Sequence, residues 1–105
     1  VTEKDDPASA LPLAEKALEA GGNRPEILDT LGWIYCLTEK HDEAVKHLEA
    51  AKKGLPQRPG VRYHLGVAYY RSGQKSKARQ ELTQALEIST SFSKASEAKK
   101  LLAQL

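Results

Sequence analysis

Cys36, His41 and His47 are the side chains best suited to hold a metal or attack a substrate, and they lie close together in the chain. Their spacing, C-x4-H-x5-H, resembles no standard zinc arrangement and straddles a predicted helix–turn–helix. His41 and His47 read as two surface histidines beside a turn, and no metal site is assigned. The third histidine, His64, stands alone. Catalysis needs a nucleophile, a base or a metal held in a rigid pocket, and no such set is visible. The chain holds no G-x-x-x-x-G-K-[ST], no G-x-G-x-x-G and no H-E-x-x-H, so it offers no phosphate cradle and no zinc-protease helix. Arg71, Lys75, Lys77 and Arg79 form a basic run that could hold phosphate backbones or anionic lipid. Gln74, Glu81 and Glu87 interrupt it, and no aromatic platform sits among those residues. A solvated helix face is the preferred reading, with an anion-binding surface on the basic half as an alternative. The chemistry therefore points away from an enzyme and from any cofactor.

What positions these residues follows from composition. Charged residues make up 29% and apolar ones 40% of 105 residues, ordinary for one soluble globular domain. Aromatics are few, while the abundant alanine and leucine favour helix. No stretch approaches the roughly 20 apolar residues that span a bilayer, and neither a leader nor a lipidation signal is recognisable. The single cysteine rules out an internal disulfide, and a lone thiol is tolerated in reducing and oxidising compartments alike. The net charge of +2 is too small to argue for nucleic acid, but it is unevenly spread. Residues 1–58 carry eight Lys/Arg against eleven Asp/Glu, and residues 59–105 carry eight against three. The chain is acidic early and basic late.

An internal repeat organises it. Residues 25–58 laid on 59–92 match at seven positions: Pro25/Pro59, Leu31/Leu65, Gly32/Gly66, Tyr35/Tyr69, Ala44/Ala78, Leu48/Leu82 and Ala51/Ala85. Unrelated stretches of that length would match at about two, given a chance identity of roughly 6% per site. The matched residues are mostly small or apolar and recur at helical spacings of three and four. In the first copy Leu28, Leu31, Ile34 and Tyr35 form one apolar face. A turn over Glu39–Asp42 follows, with Asp42 as N-cap, and then a second face of Ala44, Val45, Leu48 and Ala51. Gly54 and Pro56 close that helix. The second copy reads as Val61–Arg71, a turn around Ser72–Gln74, and Lys75–Ile88.

The spacing Leu31-Gly32-x-x-Tyr35, Ala44-x-x-x-Leu48, Pro56, repeated as Leu65-Gly66-x-x-Tyr69 and Ala78-x-x-x-Leu82, resembles the tetratricopeptide repeat (TPR). The resemblance implies an all-α fold, a TPR-like superhelix of antiparallel helix pairs. Gly32 and Gly66 then mark the close approach of the two helices, and Ala44 and Ala78 are their small partners. Ala51 and Ala85 leave room for the next repeat to stack. The sequence departs from the family at its first-helix Trp, replaced by Leu28 and Arg62, and at its terminal Pro, replaced in the second copy by Thr90. Arg62 is expected to weaken local packing. Residues 7–20 read as the second helix of a preceding repeat whose first helix is absent. Asp6 would cap it, Pro7 suits its first turn, and Pro12 is expected to kink or fray it. Residues 93–105 read as a capping helix with a stripe of Ala95, Ala98, Leu102 and Leu105. The whole of 1–105 is thus one domain.

In this family the first helices line a concave groove that holds a partner. The matching positions are Glu26, Asp29, Trp33, Cys36 and Leu37 in the first copy, and Tyr63, Val67, Tyr70 and Arg71 in the second. Trp33 and Tyr70 lie off the apolar stripe, as exposed binding anchors often do; peripheral core is the competing reading for Trp33. The Lys and Asn of the family's carboxylate clamps are missing, since those positions hold Asp29, Trp33, Tyr63 and Val67. The implied function is a protein-interaction scaffold or adaptor whose partner is a protein or peptide rather than nucleic acid. A structural end of a longer solenoid, self-associating through its N-terminal helix, is a further alternative. Residues 25–105 are also similar to the last repeats of long bacterial TPR proteins, some linked to exosortase or exopolysaccharide systems. That likeness implies the periplasmic side of a bacterial envelope, with the cytoplasm next, and a fragment of a longer array.

Overall fold

Alanine and leucine at spacings of three and four commit most of the chain to helix. The computed structural model describes residues 7–21 and 24–105, and among these it contains six α-helices and no strand. They are α1 (Pro7–Gly21), α2 (Pro25–Leu37), α3 (His41–Gly54), α4 (Pro59–Arg71), α5 (Lys75–Ile88) and α6 (Ala95–Ala103). Pro25 and Pro59 open α2 and α4, where a first-turn N–H would lack an intrahelical partner in any case. Both helices then end alike. After α2, Glu39 adopts φ 65° and the Lys40 N–H bonds the Tyr35 carbonyl at 2.8 Å. After α4, Gly73 adopts φ 85° and the Gln74 N–H bonds the Tyr69 carbonyl at 2.8 Å. This left-handed closure satisfies the last carbonyls and turns the chain back. Glycine adopts it freely at 73, whereas Glu39 does so against the clash of its own Cβ.

Two sequence expectations about helix ends are corrected here. Asp42 is not the cap of α3: the helix begins at His41, no side chain caps it, and Asp42 lies with Glu43 in the first turn. Their charges there meet the positive end of the helix dipole. Gly54 is the last residue of α3, not a left-handed terminator; a Cβ at this position would overlap the ring of Pro25. It is small because the two ends of the hairpin meet.

The short turns fold α2 back on α3 and α4 back on α5, and successive hairpins pack so that α2 also touches α4. Leu31, Leu48, Leu65 and Leu82 are fully buried. A Cβ on Gly32 would stand 2.6 Å from Leu48 Cγ, and one on Gly66 would stand 2.8 Å from Leu82 Cγ. The glycines therefore face these leucines; Ala44 and Ala78, expected as their partners, are buried beside that contact. Leu28, Ala51 and Val61 form a second apolar cluster where α4 stacks on the first hairpin.

Polar contacts cross the same junctions. Tyr35 Oη donates to Glu15 Oε2 at 3.0 Å, and Tyr69 Oη donates to Glu49 Oε2. Glu81, only 5% exposed, accepts from Lys52 Nζ at 2.7 Å and from Arg62 Nη1 at 3.1 Å. Arg62 also donates to the Pro56 carbonyl at 2.9 Å and to Gln84. It is thus held in a polar network rather than left as a packing defect. α6 starts at Ala95, two residues later than the stripe suggested, and buries Ala95 and Ala98. Pro12 lies inside α1, and Asp6 lies outside the described residues. Among the described residues no helix is long and apolar enough to cross a membrane.

Candidate binding groove

Because the repeat is 34 residues long, Asp29, Trp33 and Leu37 on α2 occupy the register of Tyr63, Val67 and Arg71 on α4. Asp29 and Trp33 are four apart, so they share one side of α2. His64 of α4 meets both. Its ring stacks on the Trp33 indole with centroids 4.3 Å apart and planes inclined by 22°, and its Nδ1 lies 2.8 Å from Asp29 Oδ1. Tyr63 lies 6.0 Å from Trp33 on one side and 6.5 Å from Phe92 on the other. Four rings, Trp33, His64, Tyr63 and Phe92, therefore run from α2 across α4 to the segment before α6.

The nine positions expected to line the groove do not all reach its surface. Cys36, Tyr63 and Val67 are buried in the main core, so they support the face from beneath and offer a partner little surface. Glu26 and Arg71 are exposed, Leu37 is 37% exposed, and Asp29, Trp33 and Tyr70 are half-buried. Trp33 and Tyr70 both pack against the core, so Trp33 has an internal duty as well as an open side. Burial pushes the Cys36 thiol up, with Arg71 opposing, which makes it an unreactive core thiol. Burial likewise raises Tyr63, with the Glu97 charge adding to the rise; α6 therefore borders this face. Arg71 Nη1 donates to the Cys36 carbonyl at 3.2 Å, tying the ends of α2 and α4 together.

His64 was missing from the sequence-derived set. Its only sequence signal is its place, one residue past a groove position, and a lone histidine on a helix reads as a solvated one. The other two histidines lie apart from this face. His41 begins α3, while His47 sits 5.1 Å from the Tyr35 ring with Nδ1 against the Glu43 carbonyl. In the basic run, Lys77 Nζ lies 5.6 Å from the Tyr69 ring centre.

Helical hairpins of 34 residues, stacked so that their first helices lie side by side, define a helical repeat protein of the solenoid class. The match can be stated more narrowly. A tetratricopeptide-repeat family model matches residues 38–105, and the chain belongs to that family. No curated protein matches it. Repeats of this family generally mediate protein–protein interaction as non-catalytic scaffolds.

Proposed function

We propose that the chain is a protein-interaction module that takes a segment of a partner protein across the face of α2 and α4, with Trp33 and Tyr70 as anchors. The observation that carries this reading is the setting of Trp33. It is the only tryptophan, it is half-buried yet keeps part of its ring open beside the exposed Leu37, and His64 already fixes its ring. A large aromatic whose rotamer is fixed beforehand loses little entropy on binding, and such residues dominate interface energies.

The test begins with a partner recovered by pull-down with the intact chain and identified by mass spectrometry. Trp33→Ala and Tyr70→Ala are then compared with Lys46→Ala and Gln80→Ala on exposed positions of α3 and α5. Glu81 is unsuitable as a control because it is buried. Truncating an anchor should cost about 2 kcal/mol, roughly thirtyfold in affinity. A larger loss from the second-helix changes places the partner on the opposite face and refutes the proposal.

Leu13 of α1 is 72% exposed, with Leu11 and Leu18 half-buried beside the core. This favours a second reading, in which α1 docks on a second copy. Light scattering that shows a monomer at all concentrations, unchanged by Leu13→Ser, excludes it.

A further inference from the structure

We infer that the groove selects its partner through one arginine, whose guanidinium packs on the exposed part of the Trp33 ring and bonds to Asp29. This rests on the groove reading above and names the chemistry of the same site. His64 displays the mode of recognition within the chain itself: a flat, nitrogen-bearing ring lies nearly parallel to the indole, and one nitrogen is bound by the Asp29 carboxylate. His64 stacks on the Trp33 ring, and the tryptophan, although it packs against the core, remains partly exposed. Among the described residues Asp29 is engaged through Oδ1 alone, which leaves Oδ2 for a second donor. Glu26, exposed and three residues earlier, stands on the same side of α2 and adds negative charge. A guanidinium is planar, permanently charged and suited to stack on an aromatic face while its edge donates to a carboxylate. A lysine ammonium meets the charge but not the stack. Arg71 is turned toward the far end of α2. It is bound to the Cys36 carbonyl, and the seven residues from Asp29 to Cys36 span roughly 10 Å of helix.

The test is selection of a random twelve-residue peptide library on the intact chain, followed by affinity measurements on the enriched sequences by fluorescence anisotropy of dye-labelled peptides, a readout that does not depend on Trp33, the only tryptophan. The enriched peptides are expected to share an arginine. Replacing it by citrulline, or Asp29 by Asn, should weaken binding about tenfold or more, and replacing it by lysine should weaken it several-fold. Asp29→Asn can still bond His64, and an unchanged circular dichroism spectrum confirms its fold; Trp33→Phe should retain part of the binding that Trp33→Ala loses. Peptides that need Trp33 yet lack arginine, or ignore Asp29→Asn, overturn the inference and leave the groove reading standing. Peptides indifferent to Trp33→Ala, or a selection that enriches nothing, overturn both.

Discussion

Alanine at Gly32 brings two opposing effects of known size to one position. In a helix interior it gains about 1 kcal/mol over glycine. At residue 32 the added Cβ would stand 2.6 Å from Leu48 Cγ and 3.3 Å from Leu48 N. The first is a branch carbon and the second is backbone, and Leu48 is fully buried, so the side chain cannot swing clear. Overpacking of this kind costs about 1–3 kcal/mol, and more where the backbone must move. Taking the upper end and subtracting the helix gain leaves a net loss of about 2 kcal/mol. At Gly66 the contacts are Leu82 Cγ at 2.8 Å and Cδ2 at 2.9 Å, with the nearest backbone atom at 3.5 Å. Leu82 is buried as fully as Leu48, but no backbone atom crowds the added carbon, so Gly66→Ala should lose less, about 1 kcal/mol. At Gly60, in the first turn of α4, nothing lies within 4 Å of the added atom, so Gly60→Ala should gain about 0.5–1 kcal/mol. Each kcal/mol corresponds to roughly 4–8 °C in a domain of this size. Thermal and urea unfolding followed by helical circular dichroism should therefore order the variants Gly60→Ala, parent, Gly66→Ala, Gly32→Ala. Adding Leu48→Ala to Gly32→Ala should lose less than the sum of the two. A Gly32→Ala protein that melts with its parent would refute this account of how α2 and α3 approach.

Arg62→Leu, which leaves buried Glu81 with Lys52 alone, should cost about 1–3 kcal/mol in urea unfolding. Arg62→Leu with Glu81→Leu should recover most of it, and a double variant as weak as the sum would show that the network is not the cause. Gly73→Ala, with free space around it but φ 85°, should cost about 1–2 kcal/mol, whereas Glu39→Gly at the equivalent turn should not destabilise; equal losses would refute the left-handed closure. Burial raises Cys36, Tyr63, Tyr35 and Tyr69, and the glutamate hydrogen bonds raise the last two further. Groups with raised folded values stabilise fully below their unfolded values, about 8.5 for the thiol and 10 for the phenols, and lose that stabilisation as pH rises through the folded ones. Urea midpoints should hold level near neutrality, begin to fall above about pH 8.5 as Cys36 contributes and fall further above about pH 10, less steeply there in Tyr69→Phe; a midpoint unchanged at high pH counts against the buried phenols.

Much of the fold is legible because identical residues recur one repeat apart. Leu31-Gly32 and Leu65-Gly66, with Leu48 and Leu82, mark both hairpins, and Pro25 and Pro59 mark their starts. What escapes is set by contacts between helices distant in sequence. Cys36 and Val67 lie on faces that a single helix would expose, and only the neighbouring helix buries them. Arg62 reads as a packing defect and Glu81 as part of a solvated face, and together they form a largely buried pair. Glu39 gives no sign of its left-handed backbone, because the tertiary turn imposes it. In the candidate groove, the family resemblance singles out Asp29 and Trp33, but His64 is visible only once α4 is laid against α2.

The paired tyrosines and glutamates bear on how the chain comes apart. Tyr35 to Glu15 and Tyr69 to Glu49 are the same bond one period apart, each joining a hairpin to the helix before it. At the next period the positions hold Thr83 and Ala103, which cannot form it. In a linear array, unfolding spreads from whichever boundary has the weakest nearest-neighbour coupling. The boundary between α5 and α6 rests largely on two small residues, Ala95 and Ala98, and on partial cover from Leu101, Leu102 and Leu105. Cooperativity should therefore be strong between α1 and α5 and give out before α6. The last helix then exchanges its amide protons ahead of the rest, opening the edge of the groove beside Tyr63 while the hairpins stay intact.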